Sequence, residues 1–373
     1  MFGGHKESVM SNNELLSKTI SYLRFPLIVG VVFIHNQMEE IDIQGNKVNY
    51  DAWPWLTHIM DFFSSVLPTI SVPLFFFISG FLFFYKVDFD KAVYKEKLKT
   101  RNKTLLVPYL IWNFVGFLLF LVKMHPAFCH FFPLLTIYRV DILTFLNCFW
   151  ITNIPTEYGF DYAPINYPMW FVRDLLFLVV ATPVIHLLIK RMNLLYILVS
   201  GFLWFWGLGR YVGFLEQSHQ SIFFFPLGAY FSINRFNFVE LAHRAKWSPY
   251  AYIVLAIGDT LSKGQPYNYW FHNGGILVGM ITVVYIASVL VGNEKVKASK
   301  FLSDASFFVF AIHGLFISKF MKTIVMTIHP QSPYQVLFIY FLVPITTILI
   351  CLGLYKLLNR YMPSVAKIIT GSR

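Results

Sequence analysis

Residues 66–86 read VLPTISVPLFFFISGFLFFYK, with no charged side chain before Lys86. A helix needs ~20 mainly apolar residues to cross the hydrocarbon core of a bilayer. Lipid cannot hydrogen-bond the backbone, so a spanning segment must satisfy its own peptide groups as a helix. The segment therefore predicts a transmembrane helix.

Nine other segments share this length and apolar character, and the composition agrees. The 373 residues are 57% hydrophobic and only 13% charged, whereas soluble proteins have about 25% charged residues. We predict an all-α, polytopic membrane bundle that forms one domain over residues 1–373. Its ten spans are expected at 19–38, 66–86, 104–124, 170–190, 193–209, 219–234, 248–263, 272–292, 301–320 and 335–357.

The basic residues orient these spans. With the N-terminus inside, the inner segments hold 21 of the 30 Lys and Arg residues and the outer segments hold seven. Under the positive-inside rule, both ends are therefore cytoplasmic, with 1–18 as an N-terminal segment and 358–373 as a tail. Topology thus accounts for the net charge of +11, and a nucleic-acid partner is not needed. The polar N-terminus does not resemble a signal peptide.

Two regions are less regular. Residues 125–169 are apolar in patches but are broken by prolines that include Pro133, Pro155, Pro164 and Pro168, and we predict a long loop that partly dips into the membrane. The three cysteines are too few for a metal framework, and no other metal signature is present. Cys129 and Cys148 either pair in an oxidising compartment or remain free buried thiols, and we favour free thiols.

Arg24 and His35 are the first candidate functional residues, in SYLRFPLIVGVVFIHN. Eleven helical positions correspond to three turns plus about 20°, so both side chains project from nearly the same face, ~16 Å apart. A cation near the inner surface suits an anionic ligand, and a deeper imidazole suits proton transfer. The alternative is that Arg24 extends to the interface and His35 hydrogen-bonds between helices.

The segment before the third span, KVDFDKAVYKEKLKTRNK, is expected to be a loop and carries a basic cluster formed by Lys97, Lys99, Arg101 and Lys103. Such a cluster binds phosphates. It equally fixes topology beside anionic lipid. The sequence leaves both interpretations open.

Weaker candidates lie in three other spans. Trp170, Arg173 and Asp174 stand at the outer end of the fourth span, where the charges either contact a polar cavity or cap the helix. Ser79 and Gly80 lie in the second span and His313 lies in the ninth. Small residues such as Ser79 and Gly80 usually indicate close helix packing. Ionisable residues inside spans are functional candidates because their burial is costly.

Taken in order, these segments resemble the membrane-bound acyltransferases of family 3, whose bacterial members mostly O-acylate envelope sugars. The resemblance covers nearly the whole chain. It rests on Arg24 and His35 and on the segments SVPLFFFISGFLFF, KTRNKTLLVPY, WFVRDLLFL, FFFPLGAYFS and SFFVFAIHGLF.

The resemblance implies an enzyme of the inner (plasma) membrane that takes an acyl group, most simply acetyl, from cytoplasmic acyl-CoA. His35 would be catalytic, with Arg24 as its partner, and Arg24, Lys99, Arg101 and Lys103 would hold the donor. We expect the carbohydrate acceptor near Ser79, Trp170, Arg173, Asp174 and His313. Two departures are a Lys-Arg-Lys set where many members have three arginines, and no appended esterase-like domain.

The chemistry needs a base for the acceptor hydroxyl and donors for the oxyanion. Burial favours a neutral His35 that acts as this base, and Asn36 and Ser79 are candidate donors. Direct transfer and an acyl-His relay both remain open. We favour direct transfer because no second nucleophile is evident. The sequence does not distinguish acetyl from succinyl or longer groups.

A transporter or flippase for a lipid-linked saccharide is the main alternative, with Arg24 and Arg173 holding an anionic substrate. Transporters often contain matching halves with broken helices, and the sequence shows no such repeat. A structural assembly subunit would not explain an Arg and a His on one face. Transfer chemistry is therefore the leading hypothesis.

Overall fold

The computed structural model describes residues 11–36, 42–43, 46–47, 53–125, 140–152, 163–208 and 219–371. In this part the chain is helical apart from one pair of two-residue antiparallel strands. The elements are α1 (Asn12–Ile34), β1 (Asp42–Ile43), β2 (Asn46–Lys47), α2 (Pro54–Asp61), α3 (Ser71–Phe84), α4 (Lys91–Arg101), α5 (Val107–Met124), α6 (Ile142–Asn147), α7 (Trp170–Met192), α8 (Leu194–Phe205), α9 (His219–Ile233), α10 (Phe238–Arg244), α11 (Ser248–Leu261), α12 (Asn268–Gly292), α13 (Lys300–Ile328), α14 (Pro333–Tyr361) and α15 (Pro363–Thr370).

Six helical stretches in the described residues are long and apolar enough to cross a membrane: Asn12–Ile34, Pro54–Phe84, Lys91–Met124, Tyr167–Met192, Asn268–Gly292 and Pro333–Tyr361. Each coincides with one of the ten predicted spans. The predicted span 301–320 lies within the 29-residue α13. The other three fall on α8, α9 and α11, which have 12, 15 and 14 residues. A multi-pass helical membrane protein is thus confirmed, while ten spans and the inside position of both ends stay predictions.

The basic segment before the third span is helical rather than a loop. Asp90 caps the start of α4, where its carboxylate accepts a 2.7 Å hydrogen bond from the Val93 backbone N–H. A π-helical turn, Asn102–Leu106, then joins α4 to α5. Such turns insert one residue into a helix and often occur at functional sites. The predicted third span is therefore the C-terminal part of one long helical stretch that begins at Lys91.

The closest crossing in the core joins α3 and α9. A Cβ atom built on Gly80 would lie 2.0 Å from the Phe225 carbonyl oxygen, and one built on Gly228 would lie 1.9 Å from the Phe77 carbonyl oxygen. Each glycine thus admits the backbone of the other helix. The prediction that Gly80 marks close packing is correct, and Gly228 is its counterpart.

The first helix lies against this core and ends close to where it was expected to. The Ser11 hydroxyl caps it by accepting from the Glu14 N–H at 3.3 Å. The last helical residue is Ile34, so His35 occupies the C-cap, one residue beyond the helix. The predicted span 19–38 therefore extends past the helix, and His35 lies at the end of α1, where the backbone has already left helical geometry.

The remaining predictions concern the region 125–169 and the termini. Within that region the structure describes α6 and the residues around it, while Cys129 lies outside the described residues. Cys148 is a buried free thiol, as is Cys351. At the C-terminus, α15 packs on α5, and the Trp112 indole N–H donates to the Ile369 carbonyl at 2.9 Å. The predicted tail is therefore helical and docked.

Candidate functional site

Two adjoining cavities lie along α1, and each contains one of the two leading candidates. The first, the Arg24 cavity, has a volume of about 170 Å³. The second, the His35 cavity, has a volume of about 360 Å³. Their common wall consists of Val31, Val72, Phe171 and Phe310. The structure therefore places Arg24 and His35 in adjoining cavities that share an apolar wall.

The Arg24 cavity holds two cations in apolar surroundings. Arg24 and Arg101 both line it, together with Ser79 and Ser303, and Arg24 Nη1 donates a long hydrogen bond of 3.5 Å to Ser303 Oγ. In the part of the chain that the structure describes, neither guanidinium forms an ion pair. Two cations without carboxylates in a narrow apolar cavity form a site suited to an anion.

The basic cluster does not act as one group. Arg101 faces the Arg24 cavity, whereas Lys99 and Lys103 are exposed and do not line it. Lys97 lies with its Nζ 5.7 Å from the centre of the Phe83 ring, a cation–π contact. Because α4 is a helix, successive basic residues point in different directions, and only one of the three predicted donor-binding residues in this segment reaches the cavity.

The His35 cavity is larger and more polar. Its polar lining comes from the ends of α1, α7 and α9 and from the turn before α3: His35, Thr69, Tyr167, Trp170, His219 and Gln220. Thr69 belongs to a short 3₁₀ turn, Leu67–Ile70, that interrupts the helix at Pro68. Several chain interruptions therefore meet at the imidazole and open the space around it.

Two aromatic rings hold the His35 imidazole. The ring centroids of His35 and Tyr167 are 5.3 Å apart with the planes nearly perpendicular, and those of His35 and His313 are also 5.3 Å apart. Tyr167 stands just before α7 and His313 lies in α13. The structure thus brings His313, a weak candidate from sequence, into direct contact with the leading one.

The tautomer of His313 follows from its partner. Its Nδ1 lies 3.1 Å from the Val309 carbonyl oxygen, and since a carbonyl only accepts, Nδ1 carries the proton. In the neutral ring, Nε2 is then an acceptor. This buried nitrogen has no hydrogen-bond partner in the described residues.

Two buried asparagines beside this pair also keep a free acceptor. Asn36 donates to the Tyr340 carbonyl at 2.7 Å, and Asn166 donates to the Ala311 carbonyl at 3.0 Å. Among the described residues, the carbonyl oxygens of both side chains are buried without a partner. Buried polar atoms are nearly always satisfied in folded proteins, so three unsatisfied acceptors close to one imidazole are an unusual feature of this part of the bundle.

The other sequence candidates divide between this site and the interior. Trp170 lines the His35 cavity and Ser79 the Arg24 cavity. Arg173 and Asp174 form a buried ion pair at 3.0 Å, and Arg173 Nη1 also donates to the Trp150 carbonyl at 2.9 Å. This pair lines neither cavity. It therefore supports the walls of the site and does not form part of the site's surface.

Sequence reasoning missed several polar residues of the cavities, among them Ser303, His219 and Gln220. Ser303 holds Arg24, and His219 and Gln220 begin α9. The signal for the α9 pair was the polar run SHQS at the start of an apolar span. The sequence could not assign this polar run to the site, because the run lies beside the end of α1, which is far away in the sequence.

The comparisons with known proteins agree with this geometry. The acyltransferase-domain family, family 3, matches residues 18–356. The chain is also similar to the succinoglycan biosynthesis protein ExoH of Rhizobium meliloti (strain 1021), with 28% identity over 374 residues that cover 96% of this chain and 93% of the relative. No solved structure matches the chain. The resemblance seen in the sequence motifs is therefore confirmed: the chain belongs to the family 3 acyltransferases and is a membrane-embedded acyltransferase.

Proposed function

We propose that this enzyme transfers an acyl group from cytoplasmic acyl-CoA to a hydroxyl of an envelope or extracellular glycan, with His35 as the base. We favour acetyl as the group. The observation that carries the proposal is the pair of adjoining cavities. One contains two guanidiniums that form no ion pair among the described residues, and the other contains the imidazole. Because the chain belongs to a family of enzymes, we disfavour the alternative that it is a transporter.

The donor would enter from the Arg24 side. A volume of about 170 Å³ suits a thin chain and not a nucleotide, so the phosphates would remain at the mouth while the thioester arm extends inward. Arg24 and Arg101 lie in the cavity, and the exposed Lys99 and Lys103 lie two residues before and two residues after Arg101 in the same helical segment. Charge in the mouth and apolar walls deeper in match an anionic head on an apolar arm.

The reaction would follow at His35. Its neutral imidazole takes the proton from the acceptor hydroxyl while the oxygen bonds to the thioester carbon. The tetrahedral adduct then collapses, the carbon–sulfur bond breaks, and the imidazolium returns the proton to the leaving thiolate. Asn36 bonds the chain to Tyr340 immediately after His35, which fixes the base. This direct route needs no second nucleophile.

The acceptor side draws on three supports. The relative ExoH takes its name from the biosynthesis of succinoglycan, a glycan. The orphaned acceptors of Asn36, Asn166 and His313 suit a ligand rich in hydroxyl donors. Trp170 and Tyr167 in the His35 cavity offer ring faces for the apolar side of a sugar. The buried pair of Arg173 and Asp174 would act here by positioning α7.

The proposed orientation places both termini in the cytoplasm and the protein in the plasma membrane. Its support is the charge distribution: the ends of α1, α3, α7 and α9 that meet around Asn13, Lys86, Lys190 and Arg235 are basic. The positive-inside rule assigns such an end to the cytoplasm. His35 would then lie toward the opposite side.

The first prediction separates two neighbouring cations. Arg101→Gln is expected to raise the KM for acetyl-CoA about tenfold to a hundredfold, because hydrogen bonds to charged groups contribute about 1.5–3 kcal/mol. Lys99→Gln removes the same charge from an exposed position outside the cavity lining and should raise this KM only about twofold to threefold, because water and salt screen an exposed charge. Initial rates of the purified variants measure both. Equal effects of the two substitutions would show that the segment acts only through its overall charge.

The proposed function is tested by measuring on which side of a membrane the acceptor becomes acylated. The protein is reconstituted in sealed vesicles, oriented by protease accessibility, with radiolabelled acetyl-CoA on the Arg101 side and a glycan acceptor on either side in turn. We expect label on the acceptor placed opposite to the donor, and none without protein. Labelling confined to the donor side would contradict transfer across the membrane but keep the acyltransferase. No labelling from any acyl-CoA would refute the proposed donor.

A further inference from the structure

A third cavity opens at the basic end of the bundle and plays no part in the proposed reaction. It has a volume of about 530 Å³ and shares no lining residue with the Arg24 or the His35 cavity. Its wall on α3 is made by Phe81, Phe84 and Tyr85, whereas the Arg24 cavity uses Ser79 and Leu82. The two spaces therefore lie on different faces of the same helix.

The rim of this basic-end cavity carries three cations from three separate elements. Lys86 follows α3, Lys190 lies in the last turn of α7, and Arg235 follows α9. Within the described residues none of the three forms an ion pair, and Asp88 is the single acidic side chain in the lining. Like charges that converge without counter-charges repel one another, so an anion between them is stabilising.

The backbone holds two of these cations in place. Lys86 and Arg235 both have positive φ angles, 54° and 60°. Non-glycine residues adopt this conformation rarely and at some cost in free energy. Each of the two residues follows the end of a helix in the left-handed region, and both line the cavity.

The floor of the cavity combines an apolar surface with a polar atom. Leu16, Phe81 and Phe84 are almost fully buried. Ser232 is also more than nine-tenths buried, and its hydroxyl has no hydrogen-bond partner among the described residues. A hydroxyl left without a partner at the base of a cationic rim indicates a missing acceptor, because unpaired buried polar groups cost free energy.

We propose that this cavity binds a phosphate-bearing anion, with the phosphate between Lys86, Lys190 and Arg235 and an oxygen acceptor toward Ser232. Phosphate offers several acceptor oxygens and negative charge to converging Lys and Arg donors. The apolar floor accommodates the glycerol and first methylenes of a phospholipid. A soluble phosphate presents the same anionic group, and the experiment distinguishes the two sources.

Binding is measured on the purified full-length protein with two probes. Native mass spectrometry follows adducts of phosphatidylglycerol, with a diacylglycerol as the lipid that lacks phosphate, and a thermal-shift titration follows inorganic phosphate. The variant is Lys190→Gln with Arg235→Gln. The matched control is Lys295→Gln with Lys297→Gln, an exposed pair near the same end of the bundle that lies outside the cavity.

The variant is expected to weaken binding at least tenfold, since each basic residue near an anionic headgroup contributes measurably, while the control changes it less than twofold. If the cavity variant loses affinity for phosphatidylglycerol alone, the ligand is a lipid headgroup. If it loses affinity for inorganic phosphate alone, the ligand is a soluble phosphate. The proposal is overturned if the cavity variant and the control variant lose equal affinity. It is also overturned if the wild-type protein neither prefers phosphatidylglycerol over diacylglycerol nor responds to inorganic phosphate.

Two further measurements guard against indirect effects. The single variants Lys190→Gln and Arg235→Gln each retain two rim cations and provide the test should the double variant lose its folded size-exclusion profile. The KM for acetyl-CoA is expected to stay within twofold of wild type, because the two cavities share no residue. Failure of the acyl-transfer assay would therefore leave this binding result intact.

Discussion

His35→Ala is expected to lower the rate of acyl transfer by a factor of ~10²–10⁴, the usual contribution of a general acid–base residue. The imidazole lies against Tyr167 and His313 in the cavity that adjoins the Arg24 cavity. Removal of the ring deletes the proton acceptor but leaves the guanidiniums that would hold the donor. We therefore expect kcat to fall with little change in the KM for acyl-CoA.

The matched control is His58→Ala, which removes an exposed histidine from α2 at the same end of the bundle. It should retain full activity. Both variants are compared by their size-exclusion profile, so that misfolding is recognised separately. A purified, monodisperse His35→Ala protein with near-normal turnover would exclude His35 as the base.

Gly228→Ala is expected to destabilise the bundle by more than the ~1–3 kcal/mol typical of overpacking. Its Cβ would lie 1.9 Å from the Phe77 carbonyl oxygen, and a backbone oxygen cannot rotate away as a side chain does. The helices α3 and α9 must therefore separate. Gly353→Ala is the control, because a Cβ there meets nothing within 4 Å and alanine favours a helix by up to ~1 kcal/mol.

The crossing also predicts how two substitutions combine. Gly80→Ala clashes with the Phe225 carbonyl across the same interface, and helices that have already separated for one methyl group accept the second at little further cost. The double variant with Gly228→Ala should therefore lose less stability than the two single losses added together. Thermal midpoints from fluorescence-detected size-exclusion chromatography measure all three. Strict additivity would mean that the glycines do not share one contact.

The sequence predicted the apolar spans well because burial in lipid imposes its demand on every residue of a segment. It failed where a helix is not apolar. The basic segment that starts at Lys91 looked like a loop, although Asp90 was an available N-cap residue. Its charges hid its helical character, and with it the fact that Arg101 and Lys99 point in different directions.

The site was predictable only within one element. The shared face of Arg24 and His35 follows from helical spacing, and both line adjoining cavities in the structure. The contact of His35 with His313, and the support of Arg24 by Ser303, depend on which helices pack together. No periodicity encodes this, and the ion pair of Arg173 and Asp174 with its Trp150 contact is a further example.

Three of the helices described above are shorter than the hydrocarbon core of a bilayer is thick. At 1.5 Å per residue, α8, α9 and α11 have lengths of ~18–23 Å, against a hydrocarbon core of ~30 Å. Exposed apolar side chains on α8 and α11, among them Leu195, Leu198, Ile253 and Val254, still require lipid. For these helices to cross, the bilayer beside them must become thinner.

This hydrophobic mismatch has a visible marker and a chemical consequence. Trp206 at the end of α8 and Trp270 at the start of α12 have ring centroids 5.0 Å apart, and aromatic rings of this kind settle at the membrane interface. They would draw the interface inward on this side, as mismatch theory expects for short spans. A locally thin membrane shortens the distance over which a group must be carried from one aqueous phase to the other.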